Sequence, residues 1–221
     1  GIRYFAHKTM RFGTKVLFRY GRHTVTALCV DRGPYVGGRA FDLGVNTARA
    51  LRFGGVGEVA LSDHRSTQPT FDQFARLAAE ARRGGILSGK AGVVNVHMGD
   101  GRRGLSLLRR ILDETEIPPT QFLPTHVNRN PTLFAEGIAH AKAGGLVDFT
   151  TSTVPAYVAE GEVTCSQGLR TMLEAGVPVS QITFTSDGQG SLPVFDGQGR
   201  FERLDVGRVT SLFAAVRDAV L

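Results

Sequence analysis

The chain lacks tryptophan, has only two cysteines in 221 residues, and contains no apolar run near the roughly 20 residues that span a bilayer. Cys29 and Cys165 have no metal-type spacing, so they indicate neither a disulfide framework nor a zinc knuckle. The first residues also lack the basic, apolar and small-residue order of an export signal. These absences predict a cytoplasmic protein with reduced thiols and no membrane partner.

Acidic residues are scarce in one region only. The net charge is +6, and residues 1–53 contain ten Lys or Arg against Asp31 and Asp42, a balance of +8. The other 16 basic and 18 acidic residues give residues 54–221 a balance of −2. A basic protein favours nucleic acid, but here the charge is confined to one segment without a recognition motif. No nucleic-acid partner is therefore expected.

Residues 1–53 also differ from the rest in pattern. KVLFRY (15–20) and TVTALCV (24–30) alternate as half-buried strands do, whereas 33–44 is rich in turn residues. A hydrophobic content of 42% allows a sizeable core. We therefore divide the chain into an atypical basic segment, 1–53, and a regular part, 54–221.

From residue 54 onward, strand and helix patterns alternate. The predicted strands span 55–61, 93–98, 121–126, 146–151 and 182–186. The predicted helices span 70–83, 104–115, 131–143, 166–175 and 206–220, and several end on glycine, as in ARRGG, AKAGG and LEAG. This order predicts an α/β fold with one parallel sheet, of the (β/α) TIM-barrel type. A complete barrel has eight strands, so five imply an incomplete barrel with two free edges.

Candidate metal ligands fall at or near the ends of four strand-like runs. They are Glu58 in GVGEVAL, His97 in VVNVHMGD, His126 in FLPTHVNRN and Asp187 in ITFTSDGQG. Imidazole and carboxylate groups are zinc ligands, and Asp187 could also accept the proton of an attacking water. Taken singly, each has an ordinary explanation, such as a structural histidine, a core ion pair or a turn residue. Their joint placement on one rim predicts a metal-dependent hydrolase.

Two arginines follow these candidate ligands. Arg65 in SDHRS and Arg129 in HVNRN each carry a guanidinium that can hold a carboxylate at two points. A surface salt bridge is the common alternative. If both side chains point inward, the substrate is an anion.

Several segments resemble the isoaspartyl dipeptidases, or β-aspartyl peptidases, of the amidohydrolase superfamily. They are GVGEVALSDHRS (55–66), NVHMGDG (95–101), LPTHVNRNPTLF (123–134), DFTTS (148–152) and TFTSDGQGSLPVFD (183–196). The resemblance runs from about residue 54 to residue 221, and LPTHVNRN and SDGQGS are its most specific motifs. It implies the C-terminal part of a TIM barrel from a homo-oligomeric family.

The resemblance also implies roles for individual residues in a centre with two zinc ions. His97 and His126 would bind one metal, and Glu58 would bridge both in place of the carbamylated lysine of many members. Asp187 would ligate metal and act as the general base. The carboxylate and amine groups of the substrate would be held by Arg65, Arg129 and Ser191. The implied reaction is hydrolysis of isoaspartyl dipeptides with release of aspartate.

The chain departs from that family in one important respect. The family opens its barrel with a His-x-His pair, and no His-x-His occurs in this sequence. At most one metal then has a full set of protein ligands, and loss of one member of a two-metal clamp weakens transition-state stabilisation. We therefore predict one fully liganded zinc or none, and little or no dipeptidase activity.

Other interpretations stay open. The part after residue 53 could be another amidohydrolase, such as a cyclic amidase, which shares the metals but not the arginine pair. It could also be a non-catalytic remnant whose basic segment binds nucleic acid or a partner. Residues 1–53 match nothing in the dipeptidase family, which predicts either a divergent segment or translation from a wrong reading frame.

Overall fold

A computed structural model describes residues 3–20, 23–32, 40–43, 47, 55–188 and 190–220. Its strands are β1 (Tyr4–Ala6), β2 (Lys15–Tyr20), β3 (His23–Asp31), β4 (Asp42–Leu43), β5 (Gly55–Leu61), β6 (Val93–Met98), β7 (Phe122–Thr125), β8 (Val147–Thr150), β9 (Ile182–Thr185), β10 (Ser191–Phe195) and β11 (Phe201–Val206). Its helices are α1 (Phe71–Ser88), α2 (Ser106–Glu114), α3 (Pro131–Lys142), α4 (Pro155–Ala159), α5 (Cys165–Glu174) and α6 (Thr210–Val220). Among the described residues, no helix is both long and apolar enough to cross a membrane.

The chain divides into two compact units. The first comprises residues 1–56 and 80–93, and the second comprises residues 57–79 and 94–221. The boundary predicted from sequence, between residues 53 and 54, lies outside the described ranges.

The first unit contains a sheet with the strand order β2-β3-β1-β4. Strand β1 runs parallel to β3, while the β2–β3 and β1–β4 pairs are antiparallel. The alternating pattern of β3 buries Val25, Ala27 and Cys29 on one face. Phe5 packs beside Ala27 and Cys29 in a separate small core. The strand predicted at 15–20 is confirmed and that at 24–30 lies within β3, whereas most of the turn-rich stretch 33–44 lies outside the described residues.

The second unit is α/β with parallel strands, as predicted. Strands β5, β6 and β7 form one sheet in that order, and β8 pairs with β9 in another. The β6–β7 and β8–β9 pairs are parallel. The prediction of one continuous five-stranded sheet is wrong, because the structure divides it between β7 and β8. Pro124 in β7 has no backbone N–H to donate to a neighbouring strand. The Thr125 hydroxyl on β7 donates a hydrogen bond to the Asp148 carboxylate on β8, across this division.

Side chains alternate between the two faces of the sheet along β6, so its candidate ligand lies on one face. Val94, Val96 and Met98 are fully buried, whereas Asn95 and His97 point to the opposite face. A second hydrophobic core lies between the β8–β9 pair and helices α3 and α5, with Phe134, Phe149 and Met172 among its buried members. Val127, which directly follows His126, is also a member of this core.

The glycines predicted to end helices act in two different ways. Gly144 and Gly176 have positive φ angles of 93° and 85° just after α3 and α5, as expected of a C-terminal stop. The stop predicted at ARRGG is wrong, because α1 continues through Gly84 and Gly85 to Ser88. A Cβ atom on Gly85 would lie 2.6 Å from the Cα atom of Gly92. This glycine therefore allows a close backbone approach rather than a helix end.

The β10–β11 hairpin was not predicted from the sequence. Its turn is closed by the Asp196 carboxylate, which accepts hydrogen bonds from the backbone N–H groups of Gln198 and Arg200. The FDGQGR sequence contains the Asp-Gly turn signal that could have revealed it. The hairpin also moves the start of the last helix from the predicted residue 206 to Thr210.

Candidate metal centre

Three of the four predicted ligands lie together. Glu58 on β5, His97 on β6 and His126 just after β7 each offer one ligand atom, and these atoms all lie within 4.8 Å of one another. His97 Nδ1 is 3.3 Å from Glu58 Oε2, and the two imidazole centroids are 4.5 Å apart. Because β5, β6 and β7 are neighbours in one sheet, residues far apart in the sequence meet here.

His126 has the environment expected of a metal ligand. Only 1% of the His126 surface is exposed to solvent, and neither ring nitrogen has a hydrogen-bond partner among the described residues. Burial lowers the pKa of His126 to about 2, and the positive charge of Arg129 acts in the same direction. The imidazole is therefore neutral, with a nitrogen lone pair available for a cation.

The donor set fits one divalent metal ion. Buried polar atoms are almost always paired, so two unpartnered nitrogens of a buried ring beside a carboxylate need an explanation. Two imidazoles and a carboxylate are a common set of protein ligands for catalytic zinc. Within the described residues, no second cluster of three or more His, Cys, Asp or Glu side chains meets the same criterion.

The segment HVNRNP explains how His126 is held in place. His126 has a positive φ of 64°, a conformation that needs support from its surroundings in a residue other than glycine. The fully buried Asn128 amide donates to the carbonyl oxygens of Thr150 (3.1 Å) and Val163 (3.0 Å), and its Oδ1 accepts from the Thr150 N–H (2.9 Å). Asn130 then caps α3 by accepting from Leu133 N–H at 2.8 Å. The sequence analysis missed Asn128, whose partners are distant in the chain.

Asp148 is a second feature that the sequence analysis missed. Its carboxylate is fully buried on β8 and accepts hydrogen bonds from Thr125 (2.6 Å), Thr183 (2.7 Å) and Thr185 (2.7 Å). Burial raises the pKa of Asp148, while these hydroxyl groups act in the opposite direction. Since Thr125 directly precedes His126, this network holds the end of β7.

Asp187 lies outside the three-residue group. Its backbone has a positive φ of 46°, and its carbonyl oxygen accepts from the Gly190 N–H at 2.8 Å. A Cβ atom on Gly190 would lie 2.7 Å from the Asp187 carboxylate, so a larger residue there would displace that carboxylate. The ligand and base roles of Asp187 remain predictions. The side chain of Ser191 lies outside what the structure describes.

The two predicted anion-binding arginines are in different states. Arg65 donates from Nε and Nη2 to the two oxygens of Asp63, at 3.0 and 2.8 Å. The hydrogen bonds from Arg65 hold the pKa of Asp63 well below its ordinary value. Arg129 is half-buried, and its positive charge acts to lower the pKa of Glu162. Arg65 is thus held by a carboxylate through two hydrogen bonds, whereas the charge interaction of Arg129 with Glu162 is not accompanied by such a pair.

These features describe an α/β protein with parallel strands and a site of the kind that binds a catalytic metal. No protein-family model matches the chain. The chain is similar to the crystal structure of a β-aspartyl dipeptidase from Fervidobacterium islandicum AW-1 in complex with β-Asp-Leu dipeptide, with 44% identity and a TM-score of 0.67. A second structure of β-aspartyl dipeptidase from the same organism gives 39% identity and a TM-score of 0.63.

These similarities cover 76% of this chain but only 42% and 40% of the two dipeptidase chains. The chain thus spans less than half of those proteins. The resemblance to isoaspartyl dipeptidases noted from the sequence motifs is confirmed.

A different protein is similar to a shorter stretch. A probable endolytic peptidoglycan transglycosylase, RlpA, from Synechocystis is 46% identical over 61 residues. This match covers 25% of the present chain and 19% of RlpA.

Proposed function

We propose that residues 54–221 are part of a metal-dependent hydrolase of isoaspartyl dipeptides, built as the C-terminal part of a (β/α) barrel. The observation that carries this proposal is the state of His126, a buried imidazole next to His97 and Glu58 whose ring nitrogens have no hydrogen-bond partner among the described residues. The similarity to two β-aspartyl dipeptidases supports the choice of substrate.

Glu58, His97 and His126 would hold the metal, and zinc suits their nitrogen and oxygen donors. A bound divalent metal would supply Lewis-acid polarisation of the scissile carbonyl. With three protein ligands in the described group, we expect one metal per chain rather than a complete pair.

The other residues would position the dipeptide and move protons. Arg129 would hold a substrate carboxylate at two points. Asp187 would accept a proton from the attacking water at its carboxylate and return it to the leaving amine. Arg65 and Ser191 complete the proposed set of substrate contacts.

Activity is expected to be weak. A second metal ion shares the stabilisation of attacking and leaving groups in two-metal hydrolases, and this sequence has no His-x-His motif to bind one. We therefore expect the 221-residue chain by itself to turn over an isoaspartyl dipeptide far more slowly than a hydrolase that holds both metals.

The first experiment separates metal binding from catalysis. Zinc content and zinc affinity are measured for the wild-type chain, for His97→Ala, and for the control His64→Ala, whose side chain is 86% exposed. We expect about one zinc per wild-type and control chain, and loss of zinc from His97→Ala. Equal zinc content in all three proteins would contradict the proposed centre.

The second experiment tests the substrate. Binding of β-Asp-Leu to the zinc-loaded chain is measured by calorimetry with and without Arg129→Ala. We expect Arg129→Ala to weaken binding by roughly 10-fold or more, because a charge-assisted bidentate contact contributes about 1.5–3 kcal/mol. Hydrolysis of a ring amide that tolerates Arg129→Ala would instead favour a cyclic amidase. Zinc binding without any amide hydrolysis would favour a non-catalytic remnant.

We also propose that the N-terminal segment is related to RlpA and has a separate origin from residues 54–221. The dipeptidase structures match 76% of the chain and RlpA matches 25% of it, shares close to the sizes of residues 54–221 and of the N-terminal segment. The first unit has its own sheet and its own core around Phe5, Ala27 and Cys29. If the RlpA match lies in the N-terminal segment, its 46% identity argues against translation from a wrong reading frame.

The name of that relative suggests peptidoglycan as a ligand for this segment. Co-sedimentation of the full chain with purified peptidoglycan tests it, with cellulose as the control polymer and duplex DNA as the rival ligand. We expect retention on peptidoglycan that persists in moderate salt. Binding only to DNA, with steep loss as salt rises, would favour the nucleic-acid alternative.

A further inference from the structure

Asp63 lies between the candidate metal ligands and the predicted substrate-binding Arg65. Its side chain is 4% exposed, and its Oδ2 atom is 2.8 Å from Arg65 Nη2 and 3.5 Å from His97 Nε2. Its Oδ1 accepts from both the backbone N–H (2.7 Å) and Nε (3.0 Å) of Arg65. Asp63 was not among the residues singled out by the sequence analysis.

His97 therefore has a carboxylate beside each ring nitrogen. Nδ1 lies 3.3 Å from Glu58 Oε2. Nε2 is buried and makes no hydrogen bond to a described residue, and it lies 3.5 Å from Asp63 Oδ2. A neutral imidazole carries its proton on only one nitrogen, and the other nitrogen presents a lone pair. Glu58 is in the metal-type group, whereas Asp63 is not. A lone pair on His97 could therefore bind the metal only if it is on Nδ1, the nitrogen next to Glu58.

We propose that Asp63 is a positioning residue that keeps the proton of His97 on Nε2 and so directs the Nδ1 lone pair towards the metal. Arg65 has a corresponding role, because its guanidinium orients the Asp63 carboxylate. Metal-binding histidines commonly donate their second N–H to such a carboxylate, which orients the ring and increases its basicity. This inference rests on the proposed metal site but concerns a residue outside the ligand set.

The test reads the tautomer directly in the metal-free protein. Nitrogen-15 NMR of histidine-labelled chain distinguishes protonated from unprotonated ring nitrogens, and His97→Gln assigns the His97 signals. We expect the Nε2–H tautomer in the wild type and a shift towards a mixture of tautomers in Asp63→Ala. Asp63→Asn keeps the shape without the charge, and we expect an intermediate result.

Zinc affinity provides the second readout. Asp63→Ala should weaken zinc binding about 10- to 100-fold, the range typical for loss of such a partner. Gln68→Ala is the matched control, because Gln68 donates to the Asp63 carbonyl oxygen at 2.9 Å and so supports the same loop without contacting His97. The control should leave both the tautomer and the affinity unchanged.

Two outcomes would overturn the inference. One is an unchanged His97 tautomer in both Asp63 variants with zinc affinity within about twofold of the wild type. The other is an equal effect of Gln68→Ala, which would show that only the loop matters. If the wild-type chain bound no zinc but the tautomer still depended on Asp63, the proposed function would fail while the positioning role of Asp63 on His97 would stand.

Discussion

His126 and His140 are both buried histidines with a ring nitrogen that has no hydrogen-bond partner in the described parts of the chain, yet they lie in very different surroundings. They are 1% and 7% exposed, and burial lowers their pKa values to about 2 and about 4. His126 follows a strand and faces His97 and Glu58. His140 lies in the last turn of α3 against the backbone of Gly145, and no metal-type group among the described residues includes it.

The comparison shows that burial and a missing hydrogen bond do not by themselves identify a ligand. Both rings are neutral because transfer of a charged imidazole from water is unfavourable. Only at the ends of β5–β7 do other donors converge on the same point. The neighbours, rather than the state of the ring itself, distinguish a metal site from a packed core histidine.

The largest expected difference concerns metal affinity. His126→Ala should weaken zinc binding by more than about 100-fold, the upper end of the effect of losing an outer partner, because it removes a direct ligand. His140→Gln should leave the affinity within about twofold. Calorimetric titration of both variants with zinc measures this difference, and a similar loss in the two would remove the distinction between the histidines.

The pH dependence of stability should reveal what the two rings share. The pKa of each histidine in the folded protein is below the ordinary 6.5. As the pH falls below about 6.5, the unfolded chain therefore binds more protons than the folded chain, and the free energy of unfolding decreases. For His140 the loss is complete near pH 4 and amounts to at most about 3 kcal/mol. For His126 it continues towards pH 2.

Urea unfolding of the metal-free chain at a series of pH values measures this loss. His140→Gln should flatten the profile between pH 6.5 and 4 only, whereas His126→Gln should flatten it below pH 4 as well. A His140→Gln profile that parallels the wild type would mean that this imidazole is protonated in the folded protein.

A smaller effect is expected from the packing around His140. A methyl group on Gly145 would overlap the His140 ring, so Gly145→Ala should lower the free energy of unfolding by about 1–3 kcal/mol. Zinc affinity should not change. Gly84→Ala is the control, because a Cβ atom there meets nothing within 4 Å, and alanine in a helix is neutral or stabilising by up to about 1 kcal/mol. Equal stability of both variants would indicate that the His140 ring can move aside.

Much of the second unit was predictable because helix and strand periodicities are local. The predicted strand 93–98 coincides with β6, whose valines alternate with Asn95 and His97. The same reasoning about strand ends placed Glu58, His97, His126 and Asp187 together, and the structure brings the first three together. The division of the sheet between β7 and β8 and the β10–β11 hairpin were not predicted, since pairing partners are not encoded by periodicity.

The amino-acid sequence alone determined the types of element, their order and the residues available as ligands, because these depend on spacing along the chain. Only the tertiary structure decided that Arg65 is engaged by Asp63, and that Asn128 and Asp148 support the end of β7. It also placed Asp187 outside the group formed by the other three candidate ligands. These outcomes depend on distances of a few ångströms between side chains remote in sequence, which no local pattern specifies.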